Sequence, residues 1–264
     1  MLRIGLSQIT SSEDPAENLE MIRREVAAAA AQDVRVVVFP EATMVRFGVS
    51  LKPHAEPLDG PWAKSVAGIA AEHDVLVVAG MFTPSDGRVR NTLLVTGLGR
   101  HLGYDKIHLY DAFGFRESDT VAPGTELLTT SVDGVTLGFA TCYDIRFPEL
   151  FRRLADEGAS AIVVPTSWGA GEGKADQWDV LVRARALDTG CWVLGCGQAD
   201  PAATGTSVNP KAPTGIGYST VADGFGQVRA RLGAGPGLVV VGIDPEVTEK
   251  ARVATGALAN RRLG

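Results

Sequence analysis

Apolar runs recur along the chain and alternate with amphipathic stretches that open on proline. "LRIGLSQI" is the first run, a strand candidate. Asp14-Pro15 then opens a segment rich in Ala, Glu and Leu that reaches Ala31. Asp at a cap and Pro at the first helical position predict a helix there. "VRVVVFPE" is dense in β-branched residues, and its consecutive apolar positions predict a strand covered on both faces. A loop spans 42–60, Pro61 starts a second predicted helix, and "VLVVAGMFT" reads as another buried strand. "SDGR" is a turn that folds "NTLLVTGLG" back onto it. After "HLGYDKIHLY" the pattern is irregular, with Gly114, Pro123 and Gly124.

The same order then returns. "LLTTSVDGVTLGFATC" reads as two strands joined at Asp133-Gly134, followed by a helix from about Phe147 to Glu157. "ASAIVVPTSW", a helix across "KADQWDVLVRARALDT", and "CWVLGCGQA" come next. A polar loop covers 200–217, then "YSTVADGFGQVRARLG" and "GLVVVGID" close the sheet region, and 245–263 is predicted helical. No Pro/Ser-rich linker divides the two halves. The expectation is one α/β domain over 1–264, with two stacked sheets and helices outside.

Composition narrows the partners. The 264 residues are 45% apolar and 21% charged, enough for a sizeable core, and carry a net charge of −6. That charge argues against nucleic acid and anionic membranes, which need basic patches. "MLRIGLSQIT" lacks a signal peptide's basic and apolar segments, and no window approaches the roughly 20 apolar residues of a membrane span. A cytoplasmic chain is expected. Three cysteines, none in a CxxC pair, exclude a disulfide framework. The four histidines are scattered, so no zinc site is expected. Cys191 and Cys196 lie in a buried apolar stretch and read as inert core thiols.

Polar residues at the carboxyl ends of apolar strands carry the candidate chemistry, because ligands of α/β folds bind there. Glu41 in "VVVFPEAT" is either a solvated loop residue or a carboxylate held for use. Lys106 in "GYDKIHLYD", taken alone, reads as a snorkelling surface lysine. Cys142, at the end of "LGFATC", is a core thiol or a nucleophile, and a following helix dipole would lower its pKa. Together a thiol, a carboxylate and a cation are what acyl transfer from an amide needs: nucleophile, proton carrier and oxyanion stabiliser.

"VVVFPEAT", "YDKIHLYD" and "GFATCYDIRFPEL" resemble, in order, the three catalytic motifs of the nitrilase superfamily of carbon–nitrogen hydrolases. "AEPLDGP", "ESDTVAPG", "RARALD" and "GYSTVADGFG" extend the likeness over nearly the whole chain. The resemblance implies Cys142 as nucleophile, Glu41 as general base and acid, and Lys106 as oxyanion cation. It further implies Glu117 as a supporting carboxylate and the Tyr143 backbone N–H as a second oxyanion donor. It implies a four-layer αββα sandwich with two mixed sheets between helix layers, a homodimer or larger assembly, and neither cofactor nor metal. "CYDIRFPEL" and "KIHLYD" are similar to the amidase branch that includes ω-amidase and deaminated-glutathione amidase. That branch implies a small carboxylated amide as substrate and ammonia as product. Arg46, Arg146 and Trp168 are candidates for the substrate-binding wall, with a structural salt bridge the alternative for Arg146. Gln177 stands where relatives are expected to carry His, and the loop 200–213 matches no family segment. An N-carbamoyl or secondary amide is the alternative substrate, and an idle binding or scaffold member the non-enzyme alternative. The chain lacks the "CWE"-type segment of nitrile hydrolases.

Overall fold

The computed structural model describes residues 1–209 and 212–262. In chain order the elements are β1 (Leu2–Gln8), α1 (Pro15–Ala30), β2 (Val36–Val38), α2 (Pro61–Glu72), β3 (Leu76–Ser85), β4 (Arg88–Gly97) and β5 (Arg100–Asp105). The short strands β6 (Asp111–Ala112) and β7 (Phe115–Arg116) form a hairpin. Then come β8 (Thr129–Val132), β9 (Val135–Phe139), α3 (Pro148–Asp156), β10 (Ala161–Thr166), α4 (Lys174–Thr189) and β11 (Trp192–Gly197). The last are β12 (Thr220–Ala222), β13 (Val228–Arg231), β14 (Gly237–Ile243) and α5 (Pro245–Thr255).

One sheet runs β14-β1-β2-β3-β4-β5 and the other β13-β12-β11-β10-β9-β8. Both are mixed. β1, β2 and β3 are parallel, as are β9, β10 and β11, with antiparallel strands at the flanks. The two-residue period of the strands explains why they are apolar throughout. In β2, Val36 and Val38 face the space between the sheets, while Val37 faces α1 and α2. In β3, Leu76 and Val78 face the other sheet, and Val77 and Ala79 the helices. Phe139, Val163 and Leu194 close the same central layer from the second sheet. α3 and α4 cover that sheet's outer face through Phe151, Leu154, Trp178 and Val182. The order is helices, sheet, sheet, helices: the expected αββα sandwich.

The caps follow the sequence. Asp14 accepts from the Ala16 N–H at the start of α1, and Asp244 from the Glu246 N–H at α5. Two departures matter for the site. The residues "RHLGYD" form edge strand β5, paired with β4, although their alternation is weak and their side chains are half exposed. The irregular stretch holds the β6–β7 hairpin, turning at Phe113 and Gly114 with positive φ. The predicted C-terminal helix ends at Thr255, and Leu263 lies outside the described residues, as do Pro210 and Lys211 of the 200–213 loop. No helix among the described residues is long and apolar enough to cross a membrane.

Candidate active site

Parallel strands deliver their carboxyl ends to one edge of each sheet. β2 leads through Phe39-Pro40 to Glu41, β9 to Cys142, and β10 to Ser167 and Trp168, while β5 leads to Lys106. One pocket is lined by Glu41, Lys106, Glu117, Cys142, Tyr143, Arg146 and Trp168. Tyr110, Phe115 and Lys174 complete much of the wall.

Its base is an ionic cluster. Lys106 is 2% exposed, and its Nζ donates to Glu41 Oε1 at 3.0 Å and to Glu117 Oε2 at 2.9 Å. Asn91, on β4, donates its side-chain amide to Glu41 Oε1 at 2.7 Å and Glu117 Oε1 at 3.2 Å. Backbone donors complete the carboxylates: the Ser167 N–H reaches Glu41 Oε2 at 2.9 Å, and the Tyr110 N–H reaches Glu117 Oε2 at 2.7 Å. A buried carboxylate needs such partners, and each of these has three or more donor contacts. Burial opposes the Lys106 charge, but Glu117 and Glu41 outweigh it and hold the ammonium well above the usual lysine pKa. The Glu41 backbone is fixed as well. Its carbonyl accepts from Gln198 Nε2 at 3.0 Å, and the chain turns at Ala42 with φ +59°. Gly80 makes room for that turn, since a Cβ there would lie 2.5 Å from the Ala42 nitrogen.

Cys142 opens a 3-10 turn, Cys142–Arg146, at φ +46°. That left-handed conformation is uncommon for a residue with a Cβ, and a strained position at a pocket marks a functional candidate. Burial and the Glu41 charge push the thiol pKa up, while Lys106 pulls the other way. The expected lowering by a helix dipole is therefore overturned. α3 begins only at Pro148, and burial and the Glu41 charge raise the pKa.

Asp144, wholly buried, ties this turn to the Lys106 segment. Its Oδ2 accepts from the Thr141 N–H at 2.9 Å and the Tyr104 hydroxyl at 2.7 Å. Its Oδ1 accepts from the His108 N–H at 2.9 Å and ring Nδ1 at 2.7 Å. Tyr104 and His108 flank Lys106 by two residues on either side. The His108 ring in turn stacks on Phe147, 3.7 Å between centroids.

The substrate-wall candidates divide. Arg146 lines the pocket, its guanidinium carbon 5.1 Å from the Trp168 ring centroid, with Nη2 donating to Gln177 Oε1 at 2.7 Å. Gln177 at the expected His position thus orients an arginine. Trp168 is buried and donates from Nε1 to the Lys174 carbonyl at 2.9 Å. Arg46 does not reach this pocket. It pairs with Glu13 and lines a smaller neighbouring cavity with Ser11, Ser167 and Gln198. Asn91, Asp144 and Lys174 were not singled out from the sequence. Asn91 and Lys174 sit where a strand or helix polar residue ordinarily meets water. Cys191 and Cys196 are buried free thiols. Among the described residues no group of three His, Cys, Asp or Glu is disposed to hold a metal.

Relatives share this frame. The Carbon-nitrogen hydrolase family model matches residues 3–253. A hydrolase of Mycobacterium tuberculosis is 51% identical, covering 98% of this chain and 95% of its own. The deaminated glutathione amidase of Escherichia coli O157:H7 is 33% identical over 93% of this chain and 92% of its own. The amidase from Nesterenkonia sp. AN1 has been solved as a variant showing covalent addition of the acetamide moiety of fluoroacetamide at the active site cysteine. It is 27% identical and superposes with a TM-score of 0.83 over 99% of this chain and 94% of its own. The chain belongs to the carbon–nitrogen hydrolases of the nitrilase superfamily, and is a hydrolase acting on carbon–nitrogen bonds.

Proposed function

We propose that the protein hydrolyses the amide of a small carboxylated compound through a Cys142 thioester, releasing ammonia. The observation that carries the reading is the Glu41–Lys106–Glu117 cluster opening onto Cys142 in one pocket. Burial and the Glu41 charge hold the thiol pKa up, so its proton passes to Glu41 as Sγ attacks the amide carbon. The carbonyl oxygen gains negative charge, and Lys106 Nζ and the Tyr143 backbone N–H receive it. Glu41 then gives its proton to the nitrogen, the C–N bond breaks, and ammonia leaves a thioester. Water attacks that thioester with Glu41 as base, releasing the acid and restoring the thiol. Glu117 and Asn91 hold Glu41 and Lys106 in register throughout. Arg146 and Trp168 supply the wall that meets the rest of the substrate.

The test is ammonia release with amide panels by wild type and Cys142→Ala, with intact-mass detection of an acyl adduct on Cys142. Loss of turnover in the variant and an adduct in the wild type are expected; undiminished turnover by Cys142→Ala overturns the reading. We further propose that the chain works as one domain, in a cytoplasmic homodimer or larger assembly. Val180 and Leu187 on α4 and Phe225 and Val228 near β13 are exposed apolar residues that support assembly. Light scattering in solution tests it, a monomer being the refuting result.

A further inference from the structure

The pocket wall carries two cations besides Lys106: Arg146 and Lys174. Among the described residues neither forms an ion pair with a carboxylate. Arg146 bonds the neutral Gln177, and Lys174 faces aromatic rings. A helix lysine ordinarily carries its ammonium out to water. Lys174 does not. Its Nζ lies 3.6 Å from the ring centroid of Phe113, at the tip of the β6–β7 hairpin, and 5.8 and 5.9 Å from those of Tyr110 and Trp168. It is the first residue of α4, where the positive end of a helix disfavours a cation. Burial and the neighbouring Arg146 charge push its pKa below the ordinary lysine range. An anion entering the pocket would relieve both costs.

The charges along the pocket also set an orientation. Glu41 and Glu117 at the base repel an anion and accept from amide N–H groups. Arg146 and Lys174 attract it. An amide with a carboxylate at its far end matches both. We propose that Lys174 is a specificity-determining residue that, together with Arg146, receives the carboxylate of the amide substrate. This rests on the amidase reading above. The rings of Phe113, Tyr110 and Trp168 hold the ammonium in the pocket until the carboxylate arrives.

Succinamate and butyramide have the same chain length and differ in a terminal carboxylate against a methyl. Lys174→Met should lower the succinamate-to-butyramide ratio of kcat/KM by about tenfold or more, mainly through KM, the worth of one charge-assisted hydrogen bond. A loss of folded protein lowers both rates alike, so the ratio is unaffected by it. Lys174→Arg should keep most of the preference. Lys174→Glu should favour β-alaninamide, whose ammonium takes the carboxylate's place, over succinamate. A ratio in Lys174→Met equal to that of wild type overturns the proposal while leaving the amidase reading standing. Failure of the wild type to turn over either amide, with no acyl group on Cys142, overturns the amidase reading and this proposal together.

Discussion

Asp144→Asn changes one atom and separates two loops. The carboxylate accepts two backbone N–H groups, from His108 at Oδ1 and from Thr141 at Oδ2, plus the His108 ring and the Tyr104 hydroxyl. An asparagine must place its NH2 where one oxygen stood. Either orientation then sets a donor against a backbone N–H that cannot reverse. The Tyr104 hydroxyl can rotate and the imidazole can change tautomer, so the side-chain donors adapt. The cost is one unsatisfied buried donor, about 1–3 kcal/mol, plus the charge assistance lost on the remaining bonds, for a total of about 2–5 kcal/mol. For a chain of this size each kcal/mol lowers Tm by about 2–4 °C, so melting should fall by about 5–15 °C. Activity should fall further than stability requires. At temperatures where the variant is fully folded, kcat should still drop about tenfold or more, because the Cys142 turn is no longer clamped to the Lys106 segment. Calorimetric melting and ammonia release on the same preparations test this. Tyr104→Phe, which removes one donor and keeps the carboxylate, should do much less to either. An Asp144→Asn protein that melts with the wild type and keeps its kcat would refute the clamp.

The other predictions address the remaining parts of the cluster. Asn91→Ala removes a donor from both Glu41 and Glu117. It should lower kcat by roughly 1–3 kcal/mol of lost stabilisation with little change in KM, and an unchanged kcat would sink the bridging role. Gly80→Ala should push back the Glu41–Ala42 backbone, lowering activity strongly; a crystal structure with Glu41 unmoved would contradict this. Alkylation by iodoacetamide should label Cys142 before the wholly buried Cys191 and Cys196. It should also accelerate as pH rises, since the thiol's pKa is raised and only the thiolate reacts. Glu41→Gln removes a charge that pushes this pKa up, so its alkylation profile should move to lower pH. A shift to higher pH would be the refuting result.

The candidate triad was legible because its residues end apolar strands. A strand buried on both faces has no polar positions to spare, so Glu41 and Cys142 stand out at the first residues beyond it. Lys106 was less visible, because β5 is a half-exposed edge strand without a clear alternation. Asn91 was illegible for a stronger reason. Between Arg90 and Thr92 at the polar start of β4 it reads as solvent-facing, and its two partners lie 50 and 26 residues away. Asp144 stood in plain view beside Cys142, but its role depends on Tyr104 and His108, 40 and 36 residues distant. Arg46 shows the converse limit: closeness to a motif in the chain did not bring its guanidinium to the pocket, because Glu13 claims it.

The thiol carries the main physical lesson. Placement before a helix suggested a thiol pKa lowered by a dipole. The fold instead places Cys142 one 3-10 turn ahead of α3, buried, with Glu41 charge upon it. A carboxylate that raises a thiol's pKa is also the base best placed to take its proton, so the two effects are one arrangement. Moving the proton before an electrophile arrives would leave a buried thiolate beside the Glu41 charge, which is costly. Lys106 lowers that cost only partly, its ammonium already shared between Glu41 and Glu117. In the proposed reaction the missing stabilisation comes from the substrate itself. Attack moves the negative charge from sulfur to the carbonyl oxygen, so nucleophilicity rises only when an amide occupies the pocket.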